Sequence, residues 1–181
     1  MMLDFFTLAQ KRESCRDFQN IRPSKEQLVK CIEAARLSPS ACNSQPWKFI
    51  VINDETVSPK IARCTQDMGF NKFTSDCPAL IVVCEDKANL AAKFGGAMKD
   101  QKFAPIDIGL AVAHICYAAT EQGLSTCILG WLNEKKIIET LGLDKDTKIR
   151  LVIAIGYASD KPLREKKRKP LEKIMTYIGE D

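Results

Sequence analysis

Polar and apolar positions along this chain follow two periods, and each change of period marks an element. Phe5, Phe6, Leu8 and Ala9 fall on a first short helix, with Asp4 placed to cap it. Ser24 and Gln27 make a capping box just after Pro23, and Leu28, Cys31, Ile32 and Ala35 then recur at helical spacing. That helix must stop near Ser38, because Pro39 disfavours the helical conformation in the residue before it. Residues 48–52 read as a strand, and Ser58-Pro59 opens a short helix with proline at its first position. Residues 70–73 are loop-like, whereas 79–84 are apolar on both faces, as in an interior strand. From 94 to 105, Gly95-Gly96, the lysines and Phe103 show no period, so the stretch reads as a loop over a pocket or as a connector.

Residues 106–122 differ, because their apolar positions run right round a helix. Such a helix is expected to be buried on every side, and in a chain this small a second subunit is expected to cover part of it. Residues 123–131 read as a short strand or extended turn. Asn133 caps a helix over Glu134–Leu141 that Gly142 ends, and 149–155 form the last strand. No repeat, low-complexity tract or linker divides the 181 residues, so one domain over 1–181 is expected.

Composition narrows the classes. No apolar run reaches the roughly 20 residues that span a bilayer. The first ten residues have no basic region ahead of an apolar core, so neither a leader nor a membrane partner is expected, and the location read is cytoplasmic. Eight cysteines contain no CxxC, and the one histidine, His114, lies in the apolar helix, where a core role is expected. The thiols therefore read as packing groups in a reducing compartment, and no metal set is predicted. The net charge is +4, and the run 164–169 holds much of the excess. That run favours a local anion site; it lacks the interleaved aromatics of a nucleic-acid surface.

Three segments carry candidate chemistry. Arg12, Ser14 and Arg16 alternate, so an extended chain turns all three to one side, as either a phosphate clamp or a solvated charged turn. The run Ser38-Pro39-Ser40-Ala41-Cys42-Asn43-Ser44-Gln45-Pro46-Trp47 sets uncharged donors and acceptors between two prolines. It suits a flat heterocycle with a polar edge, or serves as an ordinary turn between helix and strand. The basic run near the C-terminus is the third. No GxGxxG occurs, and no nucleophile stands beside a base.

With these segments in hand, the chain resembles the nitroreductase family of FMN-dependent oxidoreductases. The resemblance rests on Arg12-x-Ser14-x-Arg16-x-Phe18, the 38–47 loop, the Gly130-Trp131 turn and Lys166-Lys167-Arg168-Lys169-Pro170, in that order. It implies an α+β, three-layer fold: a central, mostly antiparallel sheet flanked by helices, in an intertwined homodimer with FMN at the interface. It implies that Arg12, Glu13, Ser14 and Arg16 hold the phosphate and ribityl end, with Lys166 and Arg168 closing over the same phosphate. Pro39, Ser40, Ala41 and Asn43 would reach the flavin from the partner subunit. Backbone at Leu129 and Gly130 would face the ring system, and Asn71 would offer an amide to its polar edge. The implied activity moves a hydride from NADH or NADPH through FMN to a nitroaromatic or quinone by a ping-pong mechanism, with no catalytic side chain of the protein's own. Reductive dehalogenation, flavin destruction and a non-catalytic or sensory flavin module are the alternatives. Leu129 stands where some members of that family carry glutamate, and neither the acceptor nor the choice of nicotinamide is legible.

Overall fold

In the computed structural model, which describes residues 4–87 and 89–179, two helical layers enclose one antiparallel sheet. Residues 1–3, part of the stretch read for a leader, lie outside the described residues. The sheet has four strands: β1 (Trp47–Ile52), β2 (Ala79–Glu85), β3 (Ser125–Leu129) and β4 (Lys148–Gly156). Their spatial order is β1-β2-β4-β3, and every pairing is antiparallel. β2 and β4 therefore occupy the centre, which is why both sequences are apolar on two faces.

Alternation along β2 divides the core. Leu80, Val82 and Cys84 point to a cluster with Ile61, Ala62 and Cys64 of α3 (Ser58–Cys64) and Ile137 of α6 (Glu134–Leu141). Ala79, Ile81 and Val83 point the other way, onto Leu28, Cys31 and Ala35 of α2 (Lys25–Arg36) and the inner face of α5 (Phe103–Glu121). Between Val83 and Cys84 the register with β4 slips by one residue, a bulge that lets both Ile149 and Val152 face the α3–α6 layer. The extra residue, Arg150, pairs with Glu85.

The caps that set the helix boundaries form as the sequence requires. Asp4 accepts from Thr7 N at the start of α1 (Phe5–Lys11), Ser24 and Gln27 close both bonds of a capping box on α2, and Asn133 accepts from Lys136 N. Gly142 ends α6 in the left-handed conformation at φ 61°.

Several expectations are corrected. The stretch around Gly95-Gly96 contains a helix, α4 (Leu90–Lys99), capped by Asn89, so 94–105 is neither a plain loop nor a connector. Its glycines obscured the period. A Cβ on Gly96 would stand 2.6 Å from the backbone oxygen of Gln101, so the tight turn into α5 needs glycine there. α5 also starts earlier than residue 106, because Pro105 falls within the first turn, where its missing N–H costs nothing.

Within one chain, α5 is covered only in part. Val112 and Ile115 are buried against the chain's own sheet, whereas Ile106 and Leu110 are 49% and 42% exposed. By length and composition α5 is apolar enough to cross a bilayer, yet one full face packs on the sheet and α2. His114 is not a core histidine within this chain: it is half-buried, and its Nδ1 lies 2.9 Å from the Leu110 carbonyl of its own helix. All eight cysteines are free; seven are buried, and Cys42 is exposed.

Candidate functional site

The segment after α1 becomes a rudimentary fifth strand. Cys15 N donates to Thr126 O at 2.9 Å and Ser14 bridges Thr126, so the segment lies along the open edge of β3. Cys15 and Phe18 turn inward, and the side chains between them turn out. Alternation thus sets Arg12, Ser14 and Arg16 on a cavity of about 370 Å³.

The other wall comes from the far end of the sequence. After β4 the chain doubles back beside the N-terminal segment and is strapped to it at successive points. Ser159 donates from its backbone N to the Asp17 carbonyl (3.1 Å) and from Oγ to Asp17 Oδ1 (2.8 Å), and Lys161 pairs with the Asp17 carboxylate. These contacts, Lys161 first and then Ser159, hold the Asp17 carboxyl below its ordinary range. Arg164 donates from N and Nε to Glu13 Oε2 at 3.3 Å and reaches Ser14 O through Nη2. Lys166 Nζ donates to Gln10 O. Arg164, Lys166, Lys167 and Arg168 thereby line the cavity with Arg12 and Arg16, against Glu13 and Glu165 alone. Six cations facing two carboxylates repel one another unless an anion sits among them. Partial burial, and then the charges of Arg12, Arg168 and Arg164, lower the Lys166 ammonium, with Glu13 opposing.

The 38–47 loop is built differently. Its backbone takes left-handed conformations at Cys42 (φ 51°), Asn43 (φ 50°) and Gln45 (φ 46°), uncommon for any residue but glycine and costly for cysteine and glutamine. Internal bonds hold part of it: Gln45 N donates to Ser40 Oγ at 2.9 Å, and Gln45 Nε2 donates to Asn43 Oδ1 at 3.1 Å. Pro39 and Asn43 are exposed, and Ser40 and Ala41 are half-buried. At its entrance the Ser38 hydroxyl is buried with no hydrogen-bond partner. The loop packs beside α4 and the start of α5, next to a cavity of about 740 Å³ lined by residues including Glu85, Gly96, Phe103, Asp107 and Arg150.

Within one chain, then, the structure gathers Arg12, Glu13, Ser14, Arg16, Lys166 and Arg168 at one cavity but does not bring Pro39, Ser40, Ala41 or Asn43 to it. Leu129 ends β3 with its side chain buried in the α3–α6 layer, so only its backbone is available. Gly130 follows, and a Cβ there would meet nothing within 4 Å, leaving that backbone open. Asn71 has φ 52°, and its Nδ2 donates to Thr65 O (3.0 Å) and Trp131 O (3.2 Å). Its amide hydrogens thus tie the 67–71 loop to the Gly130-Trp131 turn and are not free to face a ligand.

Arg164 and Lys167 escaped the sequence reading of the clamp. Lys166 and Arg168, which the family resemblance supplies, are two positions apart, and the same spacing extended back reaches Arg164, so a signal for it exists. Asp107 and Asn89, which bond the loop from α5 and from the cap of α4, carried no signal that sequence alone could separate from ordinary helix polarity.

A family model described as the nitroreductase family matches residues 9–157. An oxygen-insensitive NADPH nitroreductase of Helicobacter acinonychis is 29% identical over 94% of this chain and 95% of that protein. Iodotyrosine deiodinase 1 of Homo sapiens is 25% identical over 97% of this chain and 68% of that protein. A chain from Exiguobacterium sibiricum, described as a nitroreductase and solved in complex with FMN, superposes with a TM-score of 0.81 at 25% identity over 97% of each chain. With a match running from the end of α1 to just beyond β4, over the sheet and the helices that cover it, the chain belongs to the nitroreductase family.

Proposed function

We propose that this chain is an FMN-dependent oxidoreductase that uses NADH or NADPH to reduce a small electron acceptor. The observation that carries the reading is the cavity where Arg12, Ser14 and Arg16 meet Lys166 and Arg168, an excess of donors that fits a phosphate dianion. The remaining residues fit the rest of FMN. Gly130 leaves backbone open beside β3, and the unpartnered Ser38 hydroxyl stands at the entrance to a loop rich in uncharged donors and acceptors. When bound, FMN supplies the hydride chemistry, accepting from the nicotinamide and reducing a nitroaromatic or quinone. The protein's part is to bind and orient. The two arginines and the tail cations hold the phosphate, and Glu13 aims Arg164. Asn71 fixes the turn that carries Gly130. The tail strapped by Asp17 brings its cations to the N-terminal segment.

The same reading includes an intertwined homodimer. The clamp and the 38–47 loop lie apart in one chain, so one flavin touches both only if the loop comes from a second copy. Exposed Ile106 and Leu110 on α5 offer a face for that copy, and Leu171, Ile174, Met175 and Ile178 leave a largely exposed apolar tail. β1 has an open edge beside a groove of about 740 Å³ lined by residues including Val29, Ile32, Ile50 and Leu141.

The test is direct. Purified protein should be yellow or take up added FMN, and NADH or NADPH should bleach it anaerobically. Nitroaromatic or quinone turnover should give parallel double-reciprocal plots. A protein that takes up no FMN would overturn the reading, and a bound flavin that stays oxidised under both nucleotides would leave a non-catalytic flavin module. The kinship with a deiodinase favours a second reading, reductive dehalogenation, which halide release from iodotyrosine on the reduced enzyme would reveal.

A further inference from the structure

The 38–47 loop holds left-handed backbone at three non-glycine residues, and bonds within the loop account for only part of that shape. A backbone in so sparsely populated a region persists only when its surroundings impose it. Two side chains from outside the loop supply what is missing. Asp107, in α5 and only 5% exposed, accepts from Ala41 N through Oδ2 at 3.2 Å, at the first residue of the short 3-10 turn Ala41–Asn43. Asn89 donates from Nδ2 to Cys42 O at 3.0 Å, at the first of the left-handed residues. The Asn89 backbone N–H donates to Ser44 Oγ at 2.9 Å, while its Oδ1 accepts from Ala92 N at 2.9 Å and caps α4.

We propose that Asp107 and Asn89 are positioning residues for the flavin ring: they hold the backbone of Ala41 and Cys42 so that the loop meets the isoalloxazine already shaped. The proposal rests on the flavin-binding reading of the loop and adds to it the two residues that impose its shape. Preorganisation is worth affinity because the bound shape need not be selected from many at the moment of binding. The side of the molecule on which this acts is also defined. The loop would serve the ring, whereas the Arg12 clamp would serve the phosphate.

The experiment measures the Kd of FMN and of riboflavin by flavin fluorescence on the full-length protein, with thermal denaturation as a check on folding. Three variants are compared. Asp107→Ala removes the acceptor and leaves Ala41 N unpaired, and should weaken FMN and riboflavin alike by roughly five- to thirtyfold, the scale of one lost hydrogen bond with its desolvation. Asp107→Asn keeps an acceptor oxygen and should restore most of that loss. Asn89→Asp keeps the α4 cap, since aspartate caps as well as asparagine, but deletes the donor to Cys42 O, and should weaken both flavins several-fold. It also covers the case in which Asp107→Ala does not fold. Wild-type protein that binds no FMN would sink the functional reading itself. Wild-type protein that binds FMN while folded Asp107→Ala and Asn89→Asp bind both flavins with unchanged Kd would overturn this proposal alone. So would a loss confined to FMN, which would point to the phosphate end.

Discussion

The basic clamp and the 38–47 loop are two polar concentrations of this molecule, and they are held by opposite means. The clamp is an assembly of like charges brought together by strapping. Asp17 and Glu13 pull the tail onto the N-terminal segment, and the surplus cations are left facing a cavity. Ser14 bridges the edge strand β3 and no residue of the clamp has a positive φ, so its charge is what sets it apart. The loop carries no net charge, and its cost lies in the backbone, at Cys42, Asn43 and Gln45. The clamp can tolerate small displacements, because charge acts at a distance and flexible arginines reach. On the proposed reading the loop cannot, because hydrogen bonds to a flat ring would need backbone groups in fixed places. An anion would fix the one, and the fold would have to fix the other.

The largest effect expected is at the clamp. Arg12→Ala should weaken FMN by about ten- to a hundredfold, since a charge-assisted hydrogen bond is worth roughly 1.5–3 kcal/mol. Riboflavin, which has no phosphate, should bind the variant and the wild type nearly alike. Arg168→Ala should follow Arg12→Ala, while Lys173→Ala, outside the cavity, should change little. Equal losses for both flavins would erase the distinction between the two regions, because Arg12 would then act through the fold.

This division also explains what the sequence made legible. Within the clamp, Arg12, Ser14 and Arg16 are legible from residue type and a period of two, whereas Glu13, Lys166 and Arg168 enter only through the family resemblance, which assigns no place to Arg164 or Lys167. Interior strands and capped helices are equally plain, because β2 and β4 have no polar face and Ser24, Gln27, Asn133 and Gly142 each announce a boundary. The left-handed loop residues are a different matter. Nothing in Cys42 or Gln45 as residue types announces a positive φ, and the outside bonds to the loop, from Ala41 to Asp107 and from Asn89 to Cys42, join residues 66 and 47 positions apart. α4 was hidden for a related reason, since Gly95-Gly96 reads as a breaker until the close approach of Gln101 is known. In α5 a helix apolar all round is legible, but the face that the sheet takes is not.

That last point decides how the two regions can be separated. Asp at Val112 or Ile115 would bury a charge in the chain's own core and unfold it, at a cost of several kcal/mol, so it says nothing about a partner. Leu110 is exposed, and Leu110→Asp should leave the fold intact while setting two like charges against a second copy. Sedimentation should show monomer, and FMN should bind about tenfold more weakly, the loss of a few loop hydrogen bonds while the clamp remains. A monomeric variant that binds FMN as tightly as wild type would mean that clamp and loop never share one flavin.

A smaller effect reads the loop directly. Burial pushes the Cys31 thiol up to about 11 and the Cys77 thiol up to about 12, and it raises those of Cys15, Cys64, Cys84, Cys116 and Cys127. A neutral thiol alkylates slowly, so in native protein the exposed Cys42 should react first. If the ring meets the loop as proposed, FMN should slow that reaction several-fold, and riboflavin should slow it as well. Protection by inorganic phosphate alone would instead tie Cys42 to the clamp.

The smallest effect expected has a sign that tests the strapping. Glu13 lines the cavity and contributes a negative charge where a phosphate would sit, so as a ligand it is repulsive. Its other role is to accept from Arg164 N and Nε at 3.3 Å, which holds the tail in place. Glu13→Gln separates the two, because glutamine keeps an acceptor oxygen for Arg164 while the charge is gone. Two unit charges about 6 Å apart in a water-like dielectric interact by roughly 0.7 kcal/mol, so relief of the repulsion should tighten FMN about threefold at low salt. An exposed ion pair such as Glu13 with Arg164 is itself worth about 0–1 kcal/mol, so losing its charge while keeping its hydrogen bonds should not reverse that sign. The gain should fade above roughly 0.5 M salt, where screening acts within a few ångströms. Riboflavin affinity should not move. If Glu13→Gln weakens FMN instead, the pair with Arg164 holds the tail more by charge than by hydrogen bonding, and the clamp is as dependent on imposed geometry as the loop.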